Sequence, residues 1–140
     1  MEIDEEKLSN QLMEIEYIRR ELEEYSVALN SLQATQDNIA RAAEGFSGLK
    51  QNSDVLMPYA QDIFIKGRIG EVNSALVSIG SNIFKSFSLK DLKEKLQKDF
   101  KEVSDNINSI AQTIQALQER GLKLEEDANK MYESYQNSLK

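Results

Sequence analysis

The chain has 140 residues, of which 29% are charged and 40% hydrophobic, and its formal net charge is −7. This length suits one domain, and the negative charge disfavours a nucleic-acid partner. The sequence contains neither cysteine nor histidine. Disulfides, thiol nucleophiles and the commonest general base and metal ligand are therefore ruled out. The composition favours a protein that is not an enzyme and that has no metal site and no cofactor.

The acidic residues are concentrated at the start of the sequence. Residues 1–24 hold nine acidic and three basic side chains, whereas residues 25–88 hold five of each. The excess either complements the dipole of a helix N-terminus or selects partners by charge. No apolar run approaches the ~20 residues of a membrane span, and the N-terminus lacks the apolar stretch of a secretory signal. We therefore expect a soluble, cytoplasmic protein without a membrane partner.

The first long element is predicted from a repeat of apolar residues. Alternating spacings of three and four persist over six heptads within residues 4–46, with polar interruptions at Gln11 and Gln36. This pattern predicts a coiled-coil helix. Gly45 and Gly48 are expected to end it, because glycine accepts the left-handed conformation that follows many helices.

A second heptad pattern begins after Ser88. Ser88 and Asp91 have the spacing of a helix N-cap and its N3 residue, and a coiled-coil helix is predicted over residues 89–138. Gly121 falls at a seam position and indicates either a close backbone approach or a weak point in the helix. Each helix needs a partner for its apolar seam. We therefore predict that the two helices form an antiparallel hairpin.

Residues 47–88 join the two helices and are predicted to form strands. Four short runs of β-branched and aromatic residues, separated by glycine, asparagine and the single proline, indicate two β-hairpins. The predicted fold is mainly α: a single domain, residues 1–140, in which a long antiparallel coiled-coil hairpin carries a small four-stranded β insert. The apolar strand residues form either a private core or an intersubunit barrel, and we favour the barrel because four short strands rarely stabilise alone. The residues expected at this oligomer interface are Val55, Met57, Ile63, Ile65, Leu76, Val77, Ile79, Ile83, Phe84 and Phe87.

The order of coil, two hairpins and coil resembles the alpha-class subunits of the prefoldin family. The resemblance is most specific in residues 55–58, 63–69 and 76–84, which are similar to the family's hairpin motifs. Asn82 stands where the family usually has a second glycine, but asparagine also adopts a positive φ readily. Lys85 occupies part of the strand end where the family usually has a glutamate.

The resemblance implies a specific assembly and activity. Two alpha and four beta subunits would form a hexamer through a β-barrel platform, from which six coiled coils extend. Unfolded client proteins would be held between the coil tips without ATP and passed to a group II chaperonin. The sequence leaves two alternatives: a structural or adaptor coiled coil with one fixed protein partner, and an enzyme accessory subunit that scaffolds a complex.

A surface that binds many unfolded chains needs flexible apolar side chains. The predicted tip of the hairpin supplies them from both helices, although the same residues could instead seal the end of the coil. Tyr17 and Tyr59 are expected to be packing residues. The candidate client-binding residues are Ile3, Leu8, Leu12, Met13, Met131, Tyr132, Tyr135 and Leu139.

Overall fold

The computed structural model describes residues 5–139. Two long helices flank four strands, and the strands form two separate antiparallel hairpins. This arrangement confirms the predicted fold class. Residue 4, at which the first helix was expected to begin, lies outside the described residues. The elements are α1 (Glu5–Gly48), β1 (Asp54–Ala60), β2 (Ile63–Arg68), β3 (Ser74–Gly80), β4 (Ile83–Ser88) and α2 (Leu89–Ser138).

The chain divides into two compact units, and each is described by itself. The first unit comprises residues 1–34 and 104–140, and the second comprises Thr35–Val103. Among the described residues, the first unit contains a segment of α1, a segment of α2 and Leu139. The second contains the remaining helical segments and both hairpins.

The core of the first unit is a narrow seam between α1 and α2. Ile15, Ile18, Leu124 and Ala128 are buried there, and further seam residues pack against them. All of these residues occupy the heptad positions that the sequence assigned to the seam, so the apolar period correctly predicted the buried face. The partly buried residues are Leu8, Leu22 and Leu117.

Two ion pairs flank this seam. The guanidinium of Arg120 donates to both carboxylate oxygens of Glu14, with its Nε 3.1 Å and its Nη2 3.4 Å away. Arg19 Nη2 lies 3.6 Å from Glu125 Oε1. All four side chains are partly exposed, so each pair contributes at most about 1 kcal/mol to stability. The buried seam is therefore the main stabilising contact of the first unit.

Gly121 lies beside Ile18 in this seam, and the structure decides between its two interpretations. A Cβ on Gly121 would lie 3.5 Å from Ile18 Cγ2, which is ordinary van der Waals contact. The backbones therefore do not need glycine for close approach. We expect Gly121→Ala to raise the free energy of unfolding by about 1 kcal/mol, because alanine is the better helix former. Urea unfolding followed by circular dichroism checks this, and a destabilised variant would contradict it.

The second unit shows how each helix meets the insert. The α1 helix continues through Gly45 and ends at Gly48, so the expectation that Gly45 helps to end it is wrong. The start of α2 is capped as predicted, because the backbone N–H of Asp91 donates to Ser88 Oγ at 3.1 Å. Leu92 is buried one turn later. The cap therefore sets the point at which the last strand becomes a helix.

The two hairpins share one register, displaced by 20 residues along the chain. Asp54 pairs with Arg68 in the first hairpin, and Ser74 pairs with Ser88 in the second. Both ladders also shift register at the corresponding point, between Pro58 and Ala60 and between Ser78 and Gly80. At three pairs of corresponding positions the residues are identical: Leu56 and Leu76, Ile63 and Ile83, and Phe64 and Phe84.

The hairpin turns depend on residues that tolerate positive φ. In the first turn Asp62 has φ 61°, and in the second Gly80, Ser81 and Asn82 have φ 102°, 50° and 59°. Asparagine and aspartate enter this left-handed region more readily than most residues. The expectation that Asn82 adopts a positive φ is confirmed.

Candidate interface and binding surfaces

One face of the first hairpin is continuously apolar. Val55 pairs with Gly67, and Met57 pairs with Ile65. Because side chains alternate across a strand, Val55, Met57, Ile63 and Ile65 lie on the same face. The end of the Met57 side chain lies over Gly67, where an added Cβ would be 2.7 Å from Met57 Cε. We call this side of the hairpin the first face, and we use the same name for the corresponding side of the second hairpin, 20 residues later in the sequence.

The first face of the second hairpin has the same character. Ala75 pairs with Phe87, and Val77 pairs with Lys85. Lys85 Nζ lies 5.1 Å from the centroid of the Phe87 ring, a cation–π contact. By alternation Ile83 shares this side, whereas Ile79 is the extra residue at the register shift. Lys85 is the charged position of an otherwise apolar surface.

The opposite side of each hairpin, the second face, carries an exposed leucine and phenylalanine. Leu56 is 64% exposed and Phe64 is 59% exposed in the first hairpin, and Leu76 and Phe84 are 72% and 61% exposed in the second. Polar residues interrupt this face, since Leu56 pairs with Lys66 and both Leu76 and Phe84 pair with serine. The second face is thus apolar in patches, whereas the first face is apolar throughout most of its length.

The predicted interface residues divide between these faces. Seven of the ten lie on the first face, Leu76 and Phe84 lie on the second, and Ile79 is the extra residue at a register shift. Leu56 and Phe64 were not among the predicted interface residues, although they correspond to Leu76 and Phe84 at the displacement of 20 residues. The repeat, which is visible in the sequence, assigns Leu56 and Phe64 to the second face together with Leu76 and Phe84. Tyr59 was expected to pack but is exposed, because it is the extra residue at the register shift.

The predicted tip residues of α1 lie together. Leu8, Leu12 and Met13 line a shallow cavity of about 410 Å³ with Glu5, Ser9 and Glu16. Leu8 is half-buried and contacts the seam, whereas Leu12 and Met13 are exposed. Ile3 lies outside the described residues.

The predicted tip residues of α2 do not line that cavity. Met131 is half-buried, while Tyr132, Tyr135 and Leu139 are exposed. Tyr17 of α1 is exposed as well, so the expectation that it packs is wrong. Its position lies outside the apolar seam, and the heptad pattern could have placed it on the surface.

The exposed Tyr17 is influenced most strongly by one neighbouring carboxylate, that of Glu21. Glu21, one turn later, accepts a hydrogen bond from the phenol, and its negative charge opposes ionisation. Both effects raise the pKa of Tyr17 above its ordinary value. Tyr17 is therefore neutral at physiological pH and presents an uncharged aromatic ring.

Gln11 is the polar interruption of the seam nearest this region. Its side-chain oxygen, Oε1, is buried and accepts no hydrogen bond from the described residues. Burying such a group without a partner costs about 1–3 kcal/mol. The seam between Leu8 and Ile15 is therefore less stable than it would be with an apolar residue in place of Gln11.

Two other kinds of site are absent from residues 5–139. Within that range no helix is long and apolar enough to cross a membrane. Histidine, cysteine, aspartate and glutamate side chains in the same part of the chain form no group of three or more that could hold a metal ion.

Comparison with known proteins identifies the class. The family model for prefoldin subunits matches residues 12–134, which include both hairpins and most of both helices. The chain belongs to the prefoldin family. This membership confirms the resemblance drawn from the sequence and indicates a chaperone subunit of an oligomeric complex.

Individual relatives agree with this assignment. The chain is 27% identical over 99 residues to prefoldin subunit alpha of Thermofilum pendens, covering 71% of this chain and 77% of that protein. It is 23% identical over 138 residues to prefoldin subunit alpha of Methanococcus aeolicus, covering 96% and 85%. The cryo-EM structure of filamentous PFD from Methanocaldococcus jannaschii has a similar fold, with a TM-score of 0.51, 16% identity and coverage of 88% and 98%.

Proposed function

We propose that the chain is an ATP-independent holdase subunit. It assembles through residues 47–88 with prefoldin beta subunits, two alpha with four beta. It captures unfolded proteins at the helix ends, and delivers them to a group II chaperonin in the cytoplasm. It performs no catalysis and needs no cofactor. The observation that carries the proposal is the exposure of large apolar side chains in two places, the hairpins and the helix ends.

The first step of the argument concerns assembly. Isolated two-stranded hairpins are marginally stable in water, and unpaired strand edges invite further pairing. Here Ile63 in the first hairpin and Ile83 in the second are exposed, next to other apolar residues of the first face. A partner subunit that covers this face removes the apolar area from water. The first face is the better interface because fewer polar residues interrupt it.

The second step concerns client capture. Leu12 and Met13 on α1, and Tyr132 and Tyr135 on α2, are exposed outside the buried core. Flexible or amphipathic side chains of this kind adapt to different apolar sequences. The unpaired Gln11 oxygen lowers the cost of separating the helices locally, which would expose seam residues to a client.

Removing the exposed tip residues tests the proposal. We expect replacement of Leu12, Met13, Tyr132 and Tyr135 by serine to reduce suppression of aggregation several-fold, because the complex loses its apolar contacts with clients. The measurement is light scattering of a chemically denatured test protein diluted into the reconstituted complex. Native mass spectrometry of the same samples establishes that the assembly is unchanged.

A matched control separates this site from general surface hydrophobicity. Val27 and Leu122 are exposed on the same two helices at 70% and 63%, so replacing both by serine should leave suppression unchanged. Full suppression by the tip variant would contradict client capture at the helix ends. A single tight partner with no suppression by the native complex would instead favour the adaptor.

A further inference from the structure

The cavity on α1 combines an apolar floor with a carboxylate at each end. Its lining residues fall at 5, 8, 9, 12, 13 and 16, spacings that place them along one side of a helix. Leu8, Leu12 and Met13 form the floor, and Glu5 and Glu16 stand at the two ends. These ends are eleven residues apart, about 16 Å along the axis. An extended peptide covers that distance with about five residues.

The charge of the surroundings is strongly negative. Residues 1–34 and 104–140 hold 15 acidic and 7 basic residues, a net charge of −8, whereas residues 35–103 hold 9 acidic and 10 basic. The ion pairs across the seam engage Glu14 and Glu125. Glu5 and Glu16 are both exposed, so their carboxylates are available to a ligand.

We propose that this cavity binds unfolded segments in which lysine or arginine accompanies apolar residues. This inference rests on the proposed capture of clients at the helix ends and specifies the class of client. The aliphatic stem of a lysine or arginine lies along Leu12 and Met13, and its cationic group pairs with Glu5 or Glu16. The surrounding negative field also speeds the approach of cationic segments, an effect that salt weakens.

The test uses three fluorescent peptides and the reconstituted complex. The peptides share the same leucine and phenylalanine residues and differ at two positions, five residues apart, that hold lysine, glutamine or glutamate. Fluorescence anisotropy measures each Kd at low and at high salt. We expect the lysine peptide to bind at least tenfold more tightly than the glutamate peptide at low salt, with the difference reduced several-fold at high salt.

Two variants of equal charge locate the effect. Glu5→Gln with Glu16→Gln is expected to reduce the preference for the lysine peptide several-fold. Glu44→Gln with Glu102→Gln removes the same charge from exposed positions of the second unit and should leave the preference unchanged. Circular dichroism checks that both variants fold.

The outcomes distinguish this inference from the proposed function. Equal affinity for the three peptides, with aggregation still suppressed, overturns the charge preference and leaves client capture standing. Equal loss of preference in the two variants overturns the assignment to this cavity. If none of the peptides binds and aggregation is not suppressed, the proposed function fails and the inference fails with it.

Discussion

Replacing Ile65 by aspartate is expected to dissociate the complex at micromolar concentration. Ile65 pairs with Met57 on the first face and is 45% exposed in the single chain, so a partner must cover it in the proposed interface. A carboxylate buried there without a countercharge costs several kcal/mol. Because each 1.4 kcal/mol changes an affinity tenfold, such a cost weakens association by orders of magnitude. Native mass spectrometry of the reconstituted complex measures the loss.

The neighbouring residue provides the matched control. Phe64 is adjacent in sequence but lies on the second face, opposite Pro58. Phe64→Asp introduces the same charge into the same strand and should leave the assembly mass unchanged. An intact assembly with Ile65→Asp would contradict an interface on the first face. Dissociation by Phe64→Asp alone would place the interface on the second face.

Leu124→Ala is expected to lower the free energy of unfolding by about 2–5 kcal/mol. Leu124 is 3% exposed and belongs to the core that Ile15, Ile18 and Ala128 complete. Truncating it removes apolar contacts and leaves a cavity that neighbouring side chains fill only in part. The seam of the first unit is narrow, so few other buried side chains compensate. Urea unfolding followed by circular dichroism at fixed protein concentration provides the measurement.

Leu122 is the control for helix propensity and side-chain size. It lies two residues away on the same helix and is 63% exposed. Leu122→Ala should therefore change the free energy of unfolding by less than about 0.5 kcal/mol. Similar losses in the two variants would mean that burial at Leu124 does not stabilise the seam.

The sequence predicted those features that depend on a period or on a local signal. The heptad spacing identified Ile15, Ile18 and Leu124 as seam residues, because burial on a helix follows its 3.6-residue period. Ser88 was recognisable as a cap because its hydroxyl can accept a backbone hydrogen bond three residues later. In both cases the residues that determine the feature lie within one continuous segment of the chain.

The faces of the hairpins were less accessible from the sequence. Residues 55–57 of β1 and 63–65 of β2 are apolar at every position, so alternation gives no indication of which side a partner covers. The pairing register separates the candidates by face, because it places Leu76 and Phe84 on the side opposite Val77, Ile83 and Phe87. The register depends on the turn and on the register shift, which composition alone does not specify.

The residues that line the cavity on α1 were also only partly predictable from the sequence. The sequence supplied Leu12 and Met13 as candidates, but it did not associate them with Glu5 and Glu16. That association became visible when the lining of one cavity was described. The exposure of Tyr17, by contrast, was predictable from its heptad position outside the seam.

In the proposed assembly, the shared register of the two hairpins would make each copy of the chain bivalent. Once the first hairpin has bound a partner assembly, the short connection between Arg68 and Ser74 holds the second at high effective concentration. Linkage of this kind strengthens binding by about 10²–10⁴-fold over a single contact. Two contacts that are weak on their own can then hold a long-lived complex. Release requires both hairpins to be free at the same moment, so loss of either one shortens the lifetime of the complex far more than twofold.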